Sequence, residues 1–184
     1  NQLEAVKADQ AKLRGQNEQM ARDLAELQRK QKDDAQAFGD RLRKLEPAKV
    51  TFDGREFTAE PVEKRDFETA MAIFRKGEFA NSEVAFVDFI NRYPQSGYRP
   101  SAMFWLGNAQ YATKDYKDAL VNFRNLVAQT PDHLRVPEAM LAIANCQLEI
   151  KETKGARKTL EDLIARHPST EAAAAAKERL ARLK

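Results

Sequence analysis

Two histidines, one cysteine and 28 carboxylates are the side chains from which this 184-residue chain could build acid–base, nucleophilic or metal chemistry. His133 and His167 stand 34 residues apart (167 − 133), with no Cys, Asp or Glu at metal-ligand spacing around them, and read as loop residues. Cys146 lies in the helical pattern AMLAIANCQLEI, where a small buried hydrophobe fits better than a reactive thiol, and a single cysteine excludes an internal disulfide. The carboxylates alternate with 31 Lys and Arg, as on solvated helix faces. No Gly-rich phosphate loop, nucleophile elbow or zinc-helix motif occurs. The expectation is therefore no catalytic residue, no metal and no cofactor. Recognition chemistry remains. Asn108 and Asn145 each offer a donor and an acceptor that could hold the backbone of a partner, or could equally cap or bridge their own helices. Phe104 and Tyr111, seven apart on one helical face, are either anchors for a partner or core.

The elements that would carry these residues repeat. Pro94, Pro131 and Pro168 recur at an interval of 37 (131 − 94 and 168 − 131). The same interval links Phe86, Phe123 and Leu160; Ser82, Ala119 and Ala156; and Ala70, Gly107 and Ala144. Each unit holds two apolar-periodic segments, predicted as helix pairs at 64–76 with 79–92, 100–113 with 116–129, and 137–150 with 153–166. The small residues let paired helices approach, the aromatic or leucine fills the space toward the next unit, and proline ends the second helix. Ser169 or Thr170 can cap a closing helix over 170–183, with Ala172, Ala176, Leu180 and Leu183 covering the last unit. In stacked helix pairs the first helices line the concave face. That face is predicted to present Phe67, Met71 and Phe74, then Ser101, Phe104, Asn108 and Tyr111, then Leu141, Asn145 and Leu148.

Residues 1–46 follow another rule. Heptads place Leu3, Gln10, Asn17, Leu24 and Gln31 at a, and Val6, Leu13, Met20 and Leu27 at d, with Phe38 and Leu45 continuing a, and Asp34 and Arg41 breaking d. A lone helix cannot bury such a stripe, so a second copy or another protein must cover it. The polar a residues favour one register in a parallel homo-oligomer, supported by Asp9 at g and Arg14 at the following e. Fraying or a stutter is expected beyond Gln31. The other readings are a solvated single helix or a disordered arm. Residues 47–61 form a joint: Pro47 stops the helix, and Val50 to Phe57 reads either as a tiny hairpin with an Asp53-Gly54 turn or as an extended linker.

Met103 to Tyr111, then Asp115-Tyr116, Ala119, Phe123 and Pro131, resemble the tetratricopeptide repeat (TPR), with Met103 where an aromatic is usual and a period of 37 in place of about 34. The expected fold is all-α: a coiled-coil helix, then an α-solenoid of three repeats (about 62–98, 99–135 and 136–168) and a capping helix at 170–183. This order, with GYRPSAMFWLGNAQY, DYKDAL and a closing KERL, resembles the CpoB (YbgF) family of periplasmic Tol-Pal-associated proteins. The resemblance implies a periplasmic, non-enzymatic cell-division coordinator, its signal peptide removed. It implies trimerisation through the coiled coil and contact with a TolA-like inner-membrane protein and a bifunctional penicillin-binding protein. Septal peptidoglycan synthesis would thereby be coupled to outer-membrane constriction.

Composition limits the competing classes. A net charge of +3 spread over all faces gives no basic footprint for nucleic acid. There is no run of 18 apolar residues and no segregated basic face, so direct membrane insertion is not expected. A peptide-binding scaffold or co-chaperone in another compartment, and a structural spacer, are the alternatives to the division adaptor.

Overall fold

The structure, a computed structural model, describes residues 2–43 and 45–183. It divides into two compact units, residues 1–46 and 47–184.

The first unit is one helix, α1 (Gln2–Arg43), with no buried residue. Leu3, Val6, Gln10, Leu13, Asn17, Met20, Leu24, Leu27 and Gln31 are all exposed along it. The helix runs unfrayed past Gln31 to Arg43, which overturns fraying and is compatible with a stutter. A stutter changes which face is apolar, whereas the i→i−4 ladder responds only to local propensity, and residues 32–43 are mostly good helix formers. Arg41 and Arg43 in the last turn favour the helix dipole, and Arg43 lies 3.5 Å from Asp40. Leu45 falls outside α1, in a turn in which its N–H donates to the Leu42 carbonyl at 2.8 Å.

The second unit opens with an antiparallel hairpin, β1 (Ala48–Phe52) and β2 (Arg55–Ala59), in register from Ala48 opposite Ala59 to Phe52 opposite Arg55. Asp53 and Gly54 both take positive φ, 44° and 73°, the two-residue turn whose twist suits a hairpin. Alternation puts Val50, Phe52, Phe57 and Ala59 on one face, against the first helix pair. The segment is thus a docked hairpin rather than an extended linker.

Seven helices follow: α2 (Pro61–Arg75), α3 (Phe79–Arg92), α4 (Arg99–Ala112), α5 (Tyr116–Gln129), α6 (Val136–Glu149), α7 (Thr153–Arg166) and α8 (Glu171–Arg182). Each packs on its neighbours in sequence, and the first helices of successive pairs also touch, α2 with α4, α4 with α6 and α6 with α8. Helices α4 to α7 are 14 residues each, with three-residue turns inside a pair and six residues, 93–98 and 130–135, between pairs. The longer period therefore resides in the connections between pairs.

The small and large residues at the 37-residue interval form the core. Ala70, Ala144, Ala119, Ala156, Ser82, Phe86, Phe123 and Leu160 are all fully buried. A Cβ at Gly107 would lie 2.7 Å from Phe123 Cζ, so glycine here lets the ring lie against the α4 backbone. Two buried glutamines repeat as well. Gln110 Oε1 accepts from Asn122 Nδ2 at 2.7 Å, and Gln147 Oε1 accepts from Thr159 Oγ1 at 2.8 Å, pinning the first helix of each pair to the second. Thr170 caps α8, its side chain accepting from Ala173 N at 3.2 Å.

The turn inside each pair needs one left-handed residue, supplied by Gly77, Lys114 and Lys151 at φ 80°, 69° and 65°. Lysine there suffers a Cβ clash of about 1–2 kcal/mol, offset only in part by the entropy glycine would lose on folding. Lys151→Gly is therefore expected to stabilise the repeat unit by about 0.5 kcal/mol, read as a raised urea midpoint at unchanged slope. A lowered midpoint would show that the lysine side chain makes compensating contacts.

Candidate protein-binding groove

The ten residues predicted to face a partner separate into three groups, the first of them lying beside the hairpin. Phe52 meets Phe67 edge-on at 5.1 Å and Tyr98 at 5.5 Å, while Phe57 meets Tyr98 at 4.8 Å and lies flush on Gly97, where a Cβ would clash at 2.1 Å. Phe67, stacked on Tyr98 at 4.5 Å, is left 1% exposed, and Met71 is buried beside it. The hairpin tip reaches further. Asp53 receives Ser101 Oγ at 2.7 Å and both Nε and Nη2 of Arg135 at 3.2 and 2.9 Å. Arg135 also stacks over Phe104 and Trp105, 5.4 and 5.5 Å from their ring centres, and donates to Glu138 at 3.0 Å. Phe67, Met71 and Ser101 are buried within the second unit, Phe67 and Ser101 in contact with the hairpin. Nothing in the 37-residue period announces this, because the covering residues lie outside the repeats.

Phe74 is half-buried against Phe79 and Trp105. Tyr111 meets Tyr116 edge-on at 5.2 Å and donates to Glu149 at 3.3 Å, and Leu148 packs into the α6–α7–α8 core. The other four, Phe104, Asn108, Leu141 and Asn145, line one groove of about 680 Å³ formed by α4, α6 and α8. The sequence reading missed the rest of its wall: Leu134, Pro137, Glu138, Ala142, Thr170, Glu171, Ala172 and Ala175. Leu134, 64% exposed just before α6, is an apolar side chain with no packing duty, and α8 had been read only as a cap. The two asparagines are already engaged. Asn108 Nδ2 donates to the Phe104 carbonyl at 2.8 Å, and Asn145 Oδ1 accepts from Arg179 Nη1.

Neither the cysteine nor a histidine lines the groove. Cys146 is buried in the α4–α5–α6 core, and burial pushes its thiol up to about 11, the behaviour of a packing residue. His133 lies in a loop, as read, but is buried, and its Nδ1 accepts from Arg135 N at 3.2 Å. Burial holds its imidazole below the usual range, opposed by Asp53 and assisted by Arg55 and Arg135. Among the described residues no group of three or more His, Cys, Asp or Glu could hold a metal, and no helix is long and apolar enough to cross a membrane.

Residues 100–180 match the tetratricopeptide repeat family model. A comparison with curated proteins gives no match. Among solved structures the chain is similar to PcrH from Pseudomonas aeruginosa, at 18% identity and TM-score 0.58 over 68% of this chain and 93% of that one. The same holds for PcrH in complex with the chaperone binding region of PopD, at 18% identity and TM-score 0.58 over 68% and 92%. The first TPR of Spaghetti (RPAP3), bound to the HSP90 peptide SRMEEVD, aligns at 15% identity and TM-score 0.56 over 66% and 89%. Residues 100–180 carry the tetratricopeptide repeat, and the helices of the second unit form a TPR-like solenoid preceded by a long N-terminal helix.

Proposed function

We propose that this chain is a non-enzymatic adaptor that self-associates through α1 and holds a partner protein in the α4–α6–α8 groove. The observation that carries the reading is that groove: apolar side chains, Leu134 foremost, line a concave surface that no segment of the second unit fills. The peptide and protein complexes of the structural neighbours use the same fold and support protein binding as its use. The exposed heptad seam of α1 supports self-association, with the polar a residues Gln10, Asn17 and Gln31 setting register.

The finer reading rests on the resemblance to the CpoB family. It makes the chain a periplasmic homotrimer that binds a TolA-like protein and a bifunctional penicillin-binding protein, and so coordinates septal wall synthesis with outer-membrane constriction. Titration of the purified periplasmic segment of a TolA-like protein into the full chain, followed by calorimetry, tests it. Saturable binding is expected, weakened at least about tenfold by Leu134→Ser, which removes apolar contact at an exposed position of the groove. Absence of binding would remove the Tol-Pal role, and binding indifferent to Leu134→Ser would move the site elsewhere.

A further inference from the structure

The proposed groove carries information about its occupant. An extended peptide brings backbone N–H and C=O groups that need hydrogen-bond partners, and TPR-like grooves would supply them from first-helix amides. Here each of the two asparagines at the equivalent positions already has one group committed, an N–H of Asn108 to its own helix and the Oδ1 of Asn145 to Arg179, so the lining offers shape and apolar area more than a grip on a peptide backbone. A helix satisfies its own backbone and needs no such grip. The wall formed by Ala142, Ala172 and Ala175 is low enough for a helix axis to approach α6 and α8 at about 8 Å.

Charge adds a second restriction. The lining holds two carboxylates, Glu138 and Glu171, and no lysine or arginine. Arg135, just outside, does not neutralise this end: its single guanidinium is shared between Asp53 and Glu138, leaving that triad net negative. Both glutamates sit in the first turns of α6 and α8, so the negative charge gathers at one end of the groove. Arg179 stands on the last turn of α8, toward the other end, at Asn145. The groove is also continuous with an interface the molecule already makes, since Phe104 and Glu138 line it and also hold the arginine that receives the hairpin tip.

We infer that the α4–α6–α8 groove takes a single amphipathic α-helix with lysine or arginine beside its apolar strip, the basic residues lying toward Glu138 and Glu171. Acidic and extended segments should bind more weakly. The inference rests on the groove being the partner site, but its test does not need the partner.

Three fluorescent peptides of about 18 residues would be titrated into the full chain at low salt. One is a helix-forming Leu/Ala/Lys sequence, the second the same sequence with Glu for Lys, and the third the Lys sequence with two central prolines. The basic helix is expected to bind at least about tenfold tighter than either other peptide, with the advantage over the acidic one shrinking as salt rises. Replacing both glutamates (Glu138→Gln with Glu171→Gln), with the fold checked by its melting curve, should bring the two helical peptides within about threefold of each other. Leu134→Ser should weaken the basic helix without changing the charge preference. Equal binding of the acidic peptide, undiminished binding of the proline peptide, or no binding of any peptide would overturn the inference. Capture of the acidic peptide with loss on Leu134→Ser would do so while leaving the groove itself a protein-binding site.

Discussion

Phe123→Ala is expected to lower the unfolding free energy of the repeat unit by about 4 kcal/mol, the largest single-site effect in the molecule. The ring is fully buried, stands edge-on to Phe104 at 5.9 Å and rests on Gly107, so it joins both helices of the middle pair and belongs to the core shared with α6. Middle repeats cannot shed a neighbour as terminal ones can, and the cavity would sit where the stack is continuous on both sides. Urea unfolding of the full chain, followed at a far-ultraviolet signal of the repeat unit, would show it. A loss below about 1 kcal/mol would mean that α4 and α6 collapse into the space. The neighbouring glycine gives the reciprocal result: Gly107→Ala alone should cost about 2 kcal/mol by overpacking, and less in a Phe123→Leu background, where the clashing atoms are gone.

Arg135→Met carries the second large effect. It keeps an unbranched side chain over Phe104 and Trp105 but removes both hydrogen bonds to Asp53, whose side chain is only 8% exposed. Leaving a partly buried carboxylate without its partner costs about 3 kcal/mol if the hairpin stays docked. The hairpin has another option, which is to lift off. The measured loss is then capped by the free energy with which Phe52, Phe57 and Ala59 hold the strands to α2 and Tyr98. Hydrogen exchange separates the two outcomes. Faster exchange confined to residues 48–59 and the newly uncovered α2 identifies undocking, whereas a uniform drop in protection across the repeats identifies a globally destabilised solenoid. Unchanged exchange and unchanged stability would show that the ion pair contributes nothing net.

The residues explain why some of this was legible in advance. Pro94, Pro131 and Pro168, with the buried series at Ala70, Phe86 and Ser82, gave the helix pairs to within a few residues, because each pair answers to the same local packing and the period is printed in the chain. The helical course of α1 was legible for the same reason, since periodicity alone announces it. The concave face was read by extending the repeat rule, which does not show that Phe67, Met71 and Ser101 are buried. Phe67 lies against Phe52, and Ser101 donates to Asp53, which also holds an arginine 82 residues further along the chain, contacts that no periodicity encodes. The far wall of the groove was missed for a related reason: Ala172 and Ala175 serve both the cap and the groove, and small side chains announce neither. Asn108 and Asn145 were read as able to hold a partner, or to cap or bridge their own helices; Asn145 bridges α6 to α8 through Arg179, while Asn108 bonds within α4.

The central claim is that a partner lies along the α4–α6–α8 groove, and hydrogen exchange of the full chain with and without the TolA-like segment tests it most directly. The account predicts new protection at residues 104–108, 134–145 and 170–175, with α3, α5 and α7 unchanged on their outer faces. Protection confined to α1, or falling on the outer faces of α3, α5 and α7 while the groove exchanges as before, would contradict it.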